Sequence, residues 1–549
     1  MGTLDVVALI AASTAIGAAA RRGPLPAPLL LVLAGLAATA VPGMPAYGLD
    51  PGIVIPLLLP PLLYGAATDT SYPDLMAAIR PVVWMAVGYV LFAALAVGYA
   101  VHLLIPGMPL TAALLLGAVL APPDAVAATA IARRLGLPAP ITAVLEGESL
   151  ANDATAITLF KMMLAVAVGE EAHWLDGIAE FLSSAVGGVA VGLVVMVPVH
   201  WMRRTLREPL LHNILSLLVP FSVYALAEHL HTSGVLAVVV TALYLGNRSW
   251  EVDFAARLQE AAVWRMAVFA LESVVFALIG LQLPRVLDGL EQYGALRLAW
   301  YATLVFAVVV AVRLVWVFPA TFLPQLLGAR LRRRRLHHTW RSVLIVGWSG
   351  MRGVVSLAVA FSIPATVEGP DGPEPFAARG LVLFLTFTTV IATLLVQGLT
   401  LTPLVRRLDL PARDPAAEAD AAAHAQRTAA SAAAARLDDL LADPRNELPG
   451  PLEERLRGLA AGRVRHALAH DLPAAGGLRG QAPHTTYRRL AAEVLAEERR
   501  VLVDLRDKRR IDTETMRLLV RRLDLEEAIL HTAAADDPGG APHPPDGAR

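Results

Sequence analysis

The sequence predicts an all-α polytopic membrane protein of about thirteen transmembrane helices, built from inverted repeats with two of the helices broken, and followed by a cytosolic helical tail. Three observations predict it. Hydrophobic residues fill 56% of the 549 positions and charged ones only 17%, against roughly 25% charged in a soluble domain; the mean hydropathy is +0.57. Apolar runs of about 20 residues, the length that crosses a bilayer, follow one another through roughly the first 405 residues. Beyond them the composition turns to Ala, Arg, Asp and Glu.

The runs place spans at 4–20, 25–42, 50–67, 81–105, 110–132, 141–168, 176–200, 211–229, 232–247, 260–283, 297–324, 341–365 and 377–404. Loop charge then orients them, because Lys and Arg collect on the cytoplasmic side. With the N-terminus outside, the inner loops hold Arg21, Arg22, Arg80, Arg133, Arg134, Arg203, Arg204, Arg207, Arg248, Arg257, the block "RLRRRRLHHTWR", Arg406 and Arg407. The outer loops hold Arg285, Arg297 and Arg379 beside acidic turns such as "VEGPDGPEP". An odd number of spans puts the tail in the cytoplasm. The N-terminus lacks the basic n-region of a cleavable signal and is expected to stay as the first span.

The domain reading is therefore a transmembrane part, 1–407, and a mostly helical cytosolic tail, 408–549, disordered at about 534–549. The tail reads as helices near 415–443, 450–470 and 485–533, separated at "LPGP" and "LPAAGGLRGQAP". It carries no catalytic motif. It suits a solvated bundle, a dimerising element or the receptor of a regulatory ligand. The net charge of −1 averages two unlike halves, and no nucleic-acid partner is expected. Cys is absent, which excludes disulfides, thiol catalysis and Cys-bound metal.

Ionisable residues at membrane depth cost about 2.5–3.5 kcal/mol on insertion scales, so each needs a reason. The densest group is "EGESLANDATAITLF", Glu146 to Phe160. On a helix, residues four apart share a face. Ser149 and Asp153 form one row and Glu148 and Asn152 the next, a stripe of oxygen donors suited to a hard cation. Asp153 has an amide beside it in place of a second acid. A single carboxylate removed from water can take a proton or a cation in turn. Glu146 and Glu148 also read as residues of a capped helix start, whereas Asp153 lies too deep for that.

Two spans are interrupted. In "GAVLAPPDAVAATAIARR", Pro122 and Pro123 remove backbone donors in mid-span and Asp124 follows directly. Asp124 suits a cap on the second half-helix and suits an ion ligand equally well. In "GWSGMRGVVSLAVA", Gly347, Gly350 and Gly353 surround Arg352. Broken backbone at membrane depth survives where it is buried in protein or lines a cavity. Interrupted spans in both halves of a chain point to a transporter site between inverted repeats. Arg352 needs a buried anion; Asp124 and Glu148 are the candidates, with Glu148 favoured. Glu272 and Ser273 add a polar note to span ten, as possible support for the site. Lys161, Arg265 and Arg313 are expected to snorkel.

These residues resemble the monovalent cation/proton antiporter-1 family, which includes bacterial sodium/proton antiporters and the animal sodium/proton exchangers. The family's ESLxNDxxA motif appears as Glu148 to Ala156, its GxRG motif as Gly350 to Gly353 and its FxLxG stretch as Phe276 to Gly280. The resemblance implies thirteen helices, crossed breaks in spans five and twelve, a core domain that moves like an elevator against a dimerisation domain, and a homodimer. It implies exchange of one cation for one proton. Asp153 would carry both, Ser149 and Asn152 would frame the site, and Glu148 with Arg352 would be a structural ion pair. Two positions depart from the pattern. Pro123 stands where the family often has Thr, and Tyr64-Gly65 stands where some members have a Glu. Both remove oxygen ligands and leave sodium, potassium and lithium open as cargo; a potassium/proton antiporter is the alternative within the fold. No cofactor is implied, the cation being substrate. A channel would show a filter-like pore loop and an intramembrane metalloenzyme a ligand spacing such as HExxH; the sequence has neither, so no enzyme is expected. The location implied is the bacterial inner membrane.

Overall fold

The computed structural model describes residues 3–20, 27–41, 51–124, 128–129, 131–132, 135–168, 174–206, 208–287, 290–327, 339–369, 372–376, 378–408, 415–443, 446, 448–468 and 484–535. The disorder expected at 534–549 falls almost wholly outside them. The chain forms two compact units. One comprises Met1–Leu206, Leu211–Arg248 and Ala262–Ala412, the other Arg207–Leu210, Ser249–Ala261 and Arg413–Arg549.

The elements run in chain order. α1 (Thr3–Ala20), α2 (Ala27–Ala38) and α3 (Pro51–Asp69) lead to the short α4 (Tyr72–Ala77) and α5 (Ile79–Val83). A π-helical stretch, Trp84–Tyr89, joins α5 to α6 (Val90–Leu104), followed by α7 (Leu110–Leu120). The long helices α8 (Ala139–Ala167), α9 (Trp174–Thr205) and α10 (Pro209–His229) precede α11 (Gly234–Asn247). Then come α12 (Phe254–Leu287), α13 (Ala295–Leu327) and the pair α14 (Trp340–Trp348) and α15 (Val354–Phe361). α16 (Arg379–Ala392), a second π stretch (Thr393–Gln397) and α17 (Gly398–Leu408) complete the apolar part. Seven helical stretches among the described residues are long and apolar enough to cross a membrane, and α1, α2, α7 and α11 are shorter apolar helices. The chain is thus a helical, polytopic membrane protein.

Small residues let these helices approach where lipid supplies no hydrophobic drive. A Cβ at Gly117 would collide with the Ala94 carbonyl, and one at Gly98 with the Leu114 backbone, so α6 and α7 meet backbone to backbone. Around them lies a core that includes Tyr89, Leu115, Leu116, Val305 and Leu385. The junction before α11 turns at His231, whose φ is 55°. There Ser233 caps the helix by accepting from the Leu236 amide at 3.3 Å. The acidic segment after α15 forms a two-stranded antiparallel hairpin, Thr366–Gly369 with Gly372–Pro375, where the sequence had suggested only a turn.

The second unit is helical. α18 (Pro415–Leu441), α19 (Gly450–Leu468), α20 (His484–Asp507) and α21 (Thr513–Ala535) make up its tail portion. The expected single helix at 485–533 is two helices. Arg509 takes φ 57°, and Asp512 restarts the chain by accepting from the Thr515 amide at 2.6 Å. No Gly or Pro marks that turn, so the apolar periodicity concealed it. Leu495, Leu502, Met516, Val520 and Leu523 pack with Ala425 and Ala429. Asp524 binds Arg257, from the first turns of α12, and Arg499, which also binds Glu527.

Candidate ion-binding site

The two breaks fall where proline and glycine forbid a continuous helix. α7 stops at Leu120, and Pro122, Pro123 and Asp124 follow in non-helical backbone. α14 stops at Trp348, and Gly350 to Gly353 lie in non-helical backbone before α15 begins. The breaks touch: the Asp124 amide donates to the Met351 carbonyl at 2.7 Å. The Asp124 side chain lies against Gly353, where any Cβ would collide with its carboxylate. Gly353 is therefore required by close approach. The residues that Asp124 was expected to cap lie outside the described set.

α8 passes this junction with the motif stripe inward. Glu148 is 1% exposed, Asn152 0% and Asp153 7%, while Ser149 is half-buried. Asn152 Nδ2 donates to the Pro123 carbonyl at 2.7 Å, satisfying a group that the break released. Asn152 Oδ1 stays buried without a hydrogen-bond donor. Asp124 lies within electrostatic reach of Asp153. The site thus gathers the buried Asp153 carboxylate, the half-buried Asp124 carboxylate and an unsatisfied amide oxygen, where a cation or a proton is a stabilising guest.

The expected pairing of Glu148 with Arg352 is wrong. Arg313, on α13, holds Glu148 with two bonds, 2.7 Å from Nη1 and 2.9 Å from Nη2. Arg313 is 1% exposed and does not snorkel. The reason is reach: Arg313 lies mid-helix, far from either end of a 33-residue element, so it needs a carboxylate at its own depth. The signal was present in "VVVAVRLVWVF", where the charge sits too deep for a wet headgroup. Arg352 works differently. Its Nε donates to the Leu120 carbonyl at 2.8 Å, Nη1 to the Gly350 carbonyl and Nη2 to the Tyr89 hydroxyl at 2.8 Å. It holds the open carbonyl ends of the breaks, and its bonds go to neutral oxygens. Tyr89 and Thr393, which accepts from the Arg352 amide at 3.0 Å, were missed from sequence.

The remaining residues separate. Ser273 is buried on α12 and faces Gly17 of α1, which gives it a packing role; Glu272 beside it is half-buried. Arg265 is exposed. Lys161 pairs with Glu228 at 3.4 Å on an exposed surface. Among the described residues no group of His, Cys, Asp and Glu is arranged to hold a resident metal.

The description "Sodium/hydrogen exchanger, transmembrane" matches residues 8–407. The chain belongs to the sodium/hydrogen exchanger family. Among curated exchangers, an uncharacterised Na+/H+ exchanger of Mycobacterium bovis is 34% identical over 542 residues, covering 96% of both chains, so this similarity includes the tail. The sodium, potassium, lithium and rubidium/H+ antiporter of Bacillus pumilus is 31% identical over 74% of this chain and 62% of its own length. The Na+/H+ antiporter ApNhaP of Aphanothece halophytica is 30% identical over 70% of each. The exchanger fold also matches the solved sodium proton antiporter MjNhaP1 of Methanocaldococcus jannaschii, with a TM-score of 0.56 at 18% identity over 74% of this chain and 98% of that one.

Proposed function

We propose that this exchanger carries one monovalent cation, sodium first, against one proton, with Asp153 as the group that holds each in turn. The observation that carries this is Asp153 itself, a buried carboxylate at the junction of two broken helices. Glu148 is neutralised by Arg313, which leaves Asp153 to trade its charge. A cation would bind Asp153 with Asn152 Oδ1, Ser149 and Asp124 as further oxygen donors. A proton arriving at the Asp153 carboxylate releases the cation, and the cation releases the proton. One carboxylate trading one charge makes the cycle electroneutral. The ion site with both breaks would move as an elevator-like core against a dimerisation part, in a homodimer in the bacterial inner membrane. Thirteen crossings put the N-terminus outside and the tail, from about residue 408, in the cytoplasm, where it would receive a regulatory ligand. The role is control of internal pH and cation content.

A potassium/proton reading is favoured by one observation. Pro123 and Tyr64-Gly65 offer no side-chain carboxylate or Thr oxygen to tighten the site on a small ion, and the Bacillus pumilus relative is named for four cations. Purified protein in liposomes with an internal pH dye and clamped voltage separates these readings. Sodium is expected to move protons irrespective of voltage, and Asp153→Asn to abolish the signal while the protein still elutes as a folded dimer. Exchange retained in Asp153→Asn removes Asp153 as the carrier. A signal with potassium alone moves the cargo to potassium.

A further inference from the structure

Both π-helical stretches among the described residues, Trp84–Tyr89 and Thr393–Gln397, present a hydroxyl to the same buried arginine. Tyr89 OH accepts from Arg352 Nη2 at 2.8 Å. Thr393 Oγ1 accepts from the Arg352 amide at 3.0 Å and donates to the Val390 carbonyl at 2.9 Å, which fixes its lone pairs toward Arg352. A π turn inserts one residue into the helix and re-aims the side chains beside it, commonly at functional sites. In a continuous α-helix each of these hydroxyls would be rotated by about 100° from its present direction.

Tyr89 also serves the other arginine. The Arg313 guanidinium carbon lies 5.0 Å from the Tyr89 ring centroid, a cation–π distance. One fully buried side chain therefore touches both cations of the site. Its ring and its hydroxyl both lie against Arg313, which holds Glu148, one turn before Asn152 on α8. Its hydroxyl supports Arg352, which holds the Leu120 and Gly350 carbonyls of the two breaks. Among the described residues Arg352 has no carboxylate as a hydrogen-bond partner, so each neutral oxygen matters to its position. Phe would keep the ring contact to Arg313 and lose the hydroxyl that both arginines reach.

We propose that Tyr89, together with Thr393, is a positioning residue for ion exchange, fixing Arg352 across the two breaks so that Pro123, Asn152 and Asp124 keep their places beside Asp153. This rests on the reading of Asp153 as the carrier. It concerns residues on two elements outside the ion-binding motif, tied to it through an arginine.

The test is exchange kinetics in proteoliposomes for Tyr89→Phe, Thr393→Val and Thr393→Ser, with Asp153→Asn as control and thermal unfolding measured alongside. Both Tyr89→Phe and Thr393→Val preserve shape and remove one acceptor from a charged or backbone donor. Each is expected to raise the cation KM about tenfold, the scale of leaving one buried donor without its acceptor, with the maximal rate changed much less. Thr393→Ser, which keeps the hydroxyl, is expected to restore the wild-type KM. A folded Tyr89→Phe and a folded Thr393→Val that both match the wild-type KM would overturn the proposal and leave these residues as packing. A KM raised equally in Thr393→Ser would overturn it too, since the hydroxyl would then not be the cause. Exchange that survives Asp153→Asn fails the carrier reading instead; exchange lost there but unmoved by the other variants fails only the positioning role.

Discussion

The two units each bury arginine against acid, but they do so differently. In the membrane unit Arg313 and Glu148 form one closed, bidentate pair with both side chains at 1–2% exposure. In the second unit Asp524 is shared by Arg257 and Arg499, and Arg499 also reaches Glu527, with side chains 6–14% exposed. Beyond the first pair Arg313 also donates to the Val346 carbonyl at 3.1 Å, a neutral acceptor that leaves Glu148 as its one carboxylate among the described residues. The second is a branched network, where Asp524, Arg257 and Arg499 each keep another contact when one is lost. A closed pair locks a single geometry, which suits a site that must hold Asp153 in place. A branched network tolerates the loss of one contact. Arg257 extends that network to the loop before α12, because it also donates to the Trp250 and Val252 carbonyls.

The largest expected effect tests the closed pair. Arg313→Met strands a buried Glu148 and is expected to destabilise the protein by about 3–5 kcal/mol, seen as lost folded material in detergent and a lower unfolding temperature. The double variant Arg313→Met with Glu148→Leu is expected to recover most of that stability, because a matched apolar pair carries no unpaired charge. If the single variant is as stable as wild type, the pair is not the lock described here. Next comes the branched network. Asp524→Asn leaves Arg257 and Arg499 with weaker acceptors and is expected to cost roughly 1–3 kcal/mol. A second unit expressed with the full chain should then show faster amide exchange in α21, whereas a loss as large as that of Arg313→Met would mean that the network does not share its load.

The smallest effect belongs to the surface of the same bundle. A hydrogen bond from Arg500 holds the Glu497 carboxyl below the usual carboxylate range. The folded tail therefore favours the ionised form. That support is present at neutral pH and is lost as the pH falls through the depressed folded value. Glu497→Gln is expected to flatten this acid-side dependence and to change little at neutral pH, because the arginine is largely exposed and such pairs are screened by salt. A marked neutral-pH loss in a melting curve would place Glu497 in the buried network instead.

Local pattern made much of this molecule legible. Apolar runs of bilayer length, the prolines at 122 and 123 and the glycines around Arg352 fix where helices stand and where they break, because each effect acts within one or two turns of backbone. The stripe of Glu148, Ser149, Asn152 and Asp153 is legible for the same reason: residues four apart share a helix face whatever lies opposite. The turn between α20 and α21 was not legible, since Asp512 caps a helix without a Gly or Pro to announce it.

What only the tertiary structure decided is which charge meets which. Glu148 could have met Arg313 or Arg352, and sequence distance favours neither, because pairing at membrane depth depends on how far along its helix each group sits and on which helices are neighbours. Arg313 won by lying level with Glu148, and Arg352 was left to bind the carbonyls that the breaks exposed. The π turns that aim Tyr89 and Thr393 at Arg352 have no residue signature of their own. Each becomes visible only where its hydroxyl meets Arg352.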